Sequence, residues 1–127
     1  DAQVHVASGL QSVAGGTTSA TSLLALGCTA IVCGSDLIAL GAIRAVRRQG
    51  LSVPHDVSII GYDDSMLMAF ADPALTTIRQ PVLTMGSAAV DALIDEISGH
   101  PRLRDELLFT PELVLRDSTT KAPNTRH

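Results

Sequence analysis

Cysteine is scarce in this 127-residue chain: there are two, Cys28 and Cys33, close together on an apolar segment. That is too few for a disulfide scaffold or a four-ligand zinc site, and free cysteines commonly behave as small buried hydrophobes. A reducing, cytoplasmic setting is therefore expected. Charge is sparse as well, at 17% of residues against 46% hydrophobic, a balance that excludes a disordered tail and implies a packed body. Long apolar runs are missing. The stretch "LLALGCTAIVCG", Leu23 to Gly34, is interrupted by Gly27 and falls short of the roughly 18 to 20 residues a membrane span requires, so no membrane partner is expected. Basic residues are outnumbered, nine Lys and Arg against thirteen Asp and Glu, and the net charge of -4 excludes a broad footprint for nucleic acid.

Catalytic and cofactor signatures are also wanting. The four histidines, His5, His55, His100 and His127, show no ligand spacing, so no metal is expected. There is no G-x-S-x-G elbow, no G-x-x-x-x-G-K phosphate loop and no G-x-G-x-x-G, and Gly15-Gly16 reads as a turn. Without a nucleophile and its base, and with no cofactor implied, the chain is not expected to be an enzyme. It opens on "DAQVHVASG", with neither a methionine nor a positive n-region, so it is expected to be a piece of a longer chain with no secretory signal in view.

What is present alternates between strand and helix. "AQVHVA" (Ala2 to Ala7) suggests an opening strand, and "TTSATSLLALG" (Thr17 to Gly27) a helix with a Ser/Thr cap supply and a closing glycine. A β-branched run, Ala30 to Cys33, turns at Gly34-Ser35-Asp36 into a helix over Leu37 to Gln49. There Asp36 suits the N-cap, Arg44, Arg47 and Arg48 suit the C-terminal end of the dipole, and Gly50 stops the helix. The polar connector "LSVPHD" leads to "VSIIG", a second buried strand. Strand, crossover helix and strand make a right-handed parallel βαβ unit. A short helix in "SMLMAFADP", an extended "TTIRQP", an amphipathic helix from Val82 to Ser98 with apolar residues at spacings of three and four, and one or two strands in "LLFTPELVLRDS" complete the reading. The fold class is α/β, a doubly wound, mainly parallel sheet flanked by helices. Residues 1–118 form the body and 119–127 a flexible tail.

In open parallel sheets ligands bind beyond the carboxyl ends of the strands. Two polar clusters fall there, Gly34-Ser35-Asp36 and Gly61-Tyr62-Asp63-Asp64, and they suit a ligand rich in hydroxyl or N–H groups. Each residue also has a plainer reading. Asp36 caps a helix, Asp63 or Asp64 caps the next turn, Tyr62 stacks on a ligand or packs beside the sheet, and Met66 and Met68 belong to the core or to an interface edge.

With these residues assembled, "TAIVCGSDLIALGAIRAVRRQGLSVPHDVSIIGYDDS", "DPALTTIRQP", "MGSAAVDALI" and "PELVLRDST" closely resemble the C-terminal part of the lactose-repressor and galactose-repressor (LacI/GalR) family of bacterial transcription regulators, over Thr29 to Thr119. The resemblance implies a periplasmic-binding-protein-like (type I) fold of two subdomains. A small effector, a sugar or a nucleobase, would sit in the cleft between them, and DNA would be bound only through a separate N-terminal helix-turn-helix. It implies that Asp63 hydrogen-bonds the effector and that Ser35 stands where many members carry a cleft-facing asparagine; Tyr62, from its place in the same loop, is the third candidate effector contact. The serine is a departure that prevents effector identity from being borrowed. It leaves Asp64 as a turn or capping residue. It also implies a homodimer whose face includes Leu40, Arg44, Met68 and Ala71, and it places the Val82 to Gly99 helix in the other subdomain with its apolar stripe uncovered. A periplasmic sugar-binding protein of a transporter, which shares the fold, is the alternative. An α/β enzyme with Asp63 and Asp64 as acid and base stands behind both.

Overall fold

The computed structural model describes residues 3–100 and 106–122. The crossover unit is present. β1 (Ala30–Val32) pairs in parallel with β2 (Ser58–Ile60) in the register Ile31 to Ile59, and helix α2 (Asp36–Arg48) connects them. Helix α2 begins one residue earlier than expected because Ser35, not Asp36, is its N-cap: the Ser35 hydroxyl accepts from the Ile38 N–H at 3.3 Å. Asp36 becomes the first helical residue, where a negative charge still complements the dipole. Arg47 and Arg48 occupy the last turn, and Gly50 follows in the left-handed region with φ 73°.

Helix α1 (Val13–Ala25), capped by the Ser12 hydroxyl on the Gly15 N–H at 3.0 Å, starts well before the expected Thr17 and absorbs the glycine pair read as a turn. The reason lies in its neighbour. At the α1/α2 crossing a Cβ on Gly16 would run into the Ile38 backbone, and one on Gly41 into the Val13 carbonyl and the Thr17 N–H. The Thr17 hydroxyl donates to the Gly41 carbonyl at 3.1 Å across the same contact. Glycine here allows two backbones to approach closely, which outweighs its low helix propensity.

The core consists of Ala20 on α1, Ala39, Ala42, Ile43, Ala45 and Val46 on α2, Ile31, Cys33, Val57 and Ile59 from the strand region, and Met68 and Leu75 beyond it. The opposite face of β1 is open: Val32 is 79% exposed. The expected opening strand is not formed; residues 3–10 are exposed and irregular. The expected short helix is a single 3-10 turn, Met68–Phe70.

After that turn the chain runs alongside β2, with Thr76 bridged in parallel to Ile60, and enters β3 (Thr77–Arg79). β3 pairs antiparallel with β4 (Glu112–Val114), Arg79 opposite Glu112. Between them α3 (Val82–Ile97) follows the expected amphipathic span but buries none of its residues. Hydrogen bonding continues past the expected start of the tail. The Thr119 hydroxyl lies 3.0 Å from that of Thr76, and the Thr120 N–H donates to the Ser58 hydroxyl at 3.1 Å. The remainder of the expected tail, residues 123–127, lies outside the described residues.

Candidate functional site

β1 and β2 form one two-stranded parallel sheet and β3 and β4 a second, antiparallel one; the parallel bridge from Thr76, just ahead of β3, to Ile60 aligns β3 with β1 and β2, so the carboxyl ends of all three share one edge. Three segments meet there: residues 33–36 after β1, residues 61–65 after β2 and Gln80-Pro81 after β3. Backbone bonds lace them together. The Cys33 N–H donates to the Ile60 carbonyl at 2.8 Å, Asp36 to Tyr62 at 2.9 Å, Gly61 to Thr76 at 2.9 Å and Asp63 to Ile78 at 2.9 Å.

The polar side chains divide into those that hold the loop and one that faces out. Asp36 is 1% exposed, and its carboxylate is fully engaged: Ser65 N–H donates to Oδ2 at 2.6 Å and the Thr77 hydroxyl donates to Oδ1 at 2.7 Å. A buried carboxylate is tolerable only when paired in this way. Gly61 must be glycine because a Cβ there would strike the same Asp36 oxygen and sit 2.8 Å from Leu75 Cδ2.

Asp64 is not the simple turn residue expected. Its Oδ2 accepts from Arg79 Nε and its Oδ1 pairs with Arg116 Nη2, both at 2.7 Å. Burial pushes the Asp64 pKa upward, but the hydrogen bonds and positive charge of Arg79 and Arg116 outweigh it and hold the carboxyl below its ordinary value. Arg79 is correspondingly raised, first by its hydrogen bond to Asp64.

Asp63 is exposed, and its Oδ1 accepts from Gln80 Nε2 at 3.2 Å. Its backbone φ is 109°, and that of Asp64 is 54°. Two successive non-glycine residues at positive φ are costly, and such strain clusters at binding sites. Tyr62 is half-buried and lines a recess of about 170 Å³ with Gln80, Pro81, Met85, Leu107, Leu108, Phe109 and Pro111. The edge thus offers one outward carboxylate, a neighbouring amide and an apolar recess walled by an aromatic ring, a set suited to a small molecule with hydroxyl or N–H groups and an apolar face.

Among the residues expected here, Asp63 and Tyr62 stand at the edge, while the Ser35 hydroxyl is occupied in capping α2. Gln80, Arg79 and Arg116 were missed. Gln80 was within reach of the rule that placed the other two clusters, since it too follows the carboxyl end of a strand. Arg116 carried no local signal, because only the β3/β4 pairing brings it near. Cys33 is buried, which pushes its thiol up to about 12 and leaves it unreactive. Among the described residues no group of His, Cys, Asp and Glu could hold a metal ion.

On the expected dimer face, Leu40 and Ala71 are half-buried and Arg44 is exposed. Leu40 and Arg44 line a shallow groove with Ile43, Arg47, Arg48 and Asp72, where Arg47 Nη2 donates to the Asp72 carboxylate at 2.9 Å. Met68, also expected there, is buried within the chain. It is 5% exposed because the 3-10 turn directs it into the core, and Met66, Leu67 and Phe70 are left outside.

A family model for a periplasmic binding protein-like domain matches residues 3–119. The regulator MalR of Streptomyces coelicolor, an HTH-type transcriptional regulator, is 55% identical over 117 residues, covering 92% of this chain and 34% of that protein. A LacI family transcriptional regulator from Enterococcus faecium, solved with bound ribose, superposes with a TM-score of 0.81 at 30% identity, over 91% of this chain and 43% of that one. A lac repressor dimer bound to operator and the anti-inducer ONPF superposes with a TM-score of 0.81 at 34% identity, over 89% of this chain and 40% of that one. The chain belongs to the periplasmic-binding-protein-like domain family, in the form carried by LacI-type transcriptional regulators. It spans about a third of the length of the curated relatives it matches.

Proposed function

We propose that this chain is the effector-sensing and dimerising part of a cytoplasmic transcriptional repressor. It contributes one wall of a cleft for a small sugar-like or nucleobase-like molecule. Occupancy of that cleft shifts the population between states that differ in DNA affinity, and DNA itself is bound by a helix-turn-helix outside this chain. The observation that carries this reading is the outward carboxylate of Asp63, bonded to Gln80 at the carboxyl edge of the sheet beside the Tyr62 recess. An ionised carboxylate accepts hydrogen bonds only, so the ligand must present donors to it.

Homodimerisation through Leu40, Arg44 and Ala71 is the second part of the proposal. It is supported by Leu40 and Arg44 lining the groove on α2, and by the exposed apolar Leu67 and Phe70 that precede Ala71 in the chain. The transporter alternative is not favoured, because the relatives are helix-turn-helix regulators. Calorimetric titration of the complete protein with ribose and a panel of pentoses, hexoses, disaccharides and nucleosides tests the sensing role. At least one compound is expected to bind saturably and to change operator affinity. Binding without any effect on DNA affinity would return the transporter reading to the front.

A further inference from the structure

We propose that the Arg79, Asp64 and Arg116 cluster is the positioning device of the effector loop: it locks residues 61–65 in the one conformation that presents Asp63. Its functional meaning rests on the reading of Asp63 as the effector contact. Each Asp64 carboxylate oxygen takes one guanidinium at 2.7 Å, and the Asp64 side chain is only 9% exposed. Arg116 is itself fixed from a second side, since its Nη1 donates to the Leu75 carbonyl at 2.8 Å. Arg79 also reaches Glu112, its opposite number across the β3/β4 register, at 3.4 Å. The loop is thereby tied to β3 and to the segment returning from β4.

On the loop's other side, Asp36 holds Ser65 and Thr77, and the Thr77 hydroxyl in turn accepts from the Asp64 N–H at 3.3 Å. Successive backbone donors are therefore committed: Asp63 to Ile78, Asp64 to Thr77 and Ser65 to Asp36. A loop with two consecutive aspartates at positive φ persists only where its surroundings over-determine it. Charge-assisted bonds to a nearly desiccated carboxylate are the strongest local means of doing so. Asp64 is accordingly a positioning residue, and a ligand meets one exposed carboxylate, that of Asp63, rather than two.

Amide hydrogen exchange on the full chain, without ligand, decides the matter. Asp64→Asn keeps the side-chain shape and the tolerance of positive φ while removing the charge. The amides of residues 63–65 are expected to exchange about tenfold faster in this variant, with those of Ile59 and Val46 unchanged. Arg116→Lys, which keeps the charge but not the fork, is expected to give a smaller acceleration confined to the same amides. Unchanged loop protection in both variants would overturn the proposal. So would equal acceleration of loop and core, which would mark the cluster as a general stabiliser. The affinity of an Asp63→Asn variant separately tests the effector reading, so either can fail without the other.

Discussion

Asp63 and Asp64 are chemically identical and adjacent, yet the fold gives them opposite tasks. Asp63 is exposed beside Gln80, and Asp64 is enclosed between two arginines. Replacing Asp63 with asparagine, which shares its tolerance of positive φ, should weaken effector binding by about 1.5 to 3 kcal/mol, the range for hydrogen bonds to charged groups, with little change in melting temperature. Asp64 should instead show itself in acid. Its folded pKa lies below the unfolded value, so its stabilising contribution is complete above the ordinary carboxylate range and is lost as pH falls through the depressed value. Urea titrations stepped down from neutral pH should show this acid limb, and Asp64→Asn should flatten it. The sequence placed both residues on the ligand edge by the strand-end rule. The family resemblance set Asp63 apart as the effector contact and left Asp64 as a turn or capping residue, but the enclosure of Asp64 was not legible, because it depends on Arg116, which reaches Asp64 only through antiparallel pairing of distant strands.

At the scale of elements, α2 was readable almost to the residue because both ends carry their own chemistry: Ser35 and Asp36 at the start, Arg47, Arg48 and Gly50 at the finish. Helix α1 was not, because Gly15 and Gly16 signal a turn to any local reading, and only the packing partner explains them. Gly→Ala inside a helix ordinarily gains about 1 kcal/mol of propensity. At Gly16 or Gly41 the sign should reverse, with a loss of about 1 to 3 kcal/mol from overpacking against Ile38 or Val13, measured by chemical denaturation. The opening strand is not formed: alternation in "AQVHVA" marks a face, but a strand also needs a hydrogen-bonded partner, and residues 3–10 make no strand pairing here.

At the scale of the whole molecule, burial is uneven. Helices α1 and α2 and the strands beneath them share a core, while α3 leaves Leu83, Val90, Leu93, Ile94 and Ile97 more than half exposed, and Val32 is bare on the sheet's other face. An apolar stripe of this extent is a surface that ordinarily meets another protein surface. Analytical ultracentrifugation of the 127-residue chain is therefore expected to show association that rises with concentration, and a dilute, well-folded monomer would count against it. Introducing a charge on the α2 groove, as in Leu40→Asp, should shift the complete protein from dimer toward monomer. No helix among the described residues is long and apolar enough to cross a membrane.

The central claim is that this edge senses a small molecule through Asp63. It is tested most directly by calorimetry on the complete protein, with the tightest binder from a thermal-shift screen of saccharides and nucleosides, comparing the native chain with Asp63→Asn. The expected result is saturable binding to the native protein, weakened by roughly ten- to a hundredfold in the variant, with the two proteins equally stable. Equal affinity in both would contradict the account and remove Asp63 from the site.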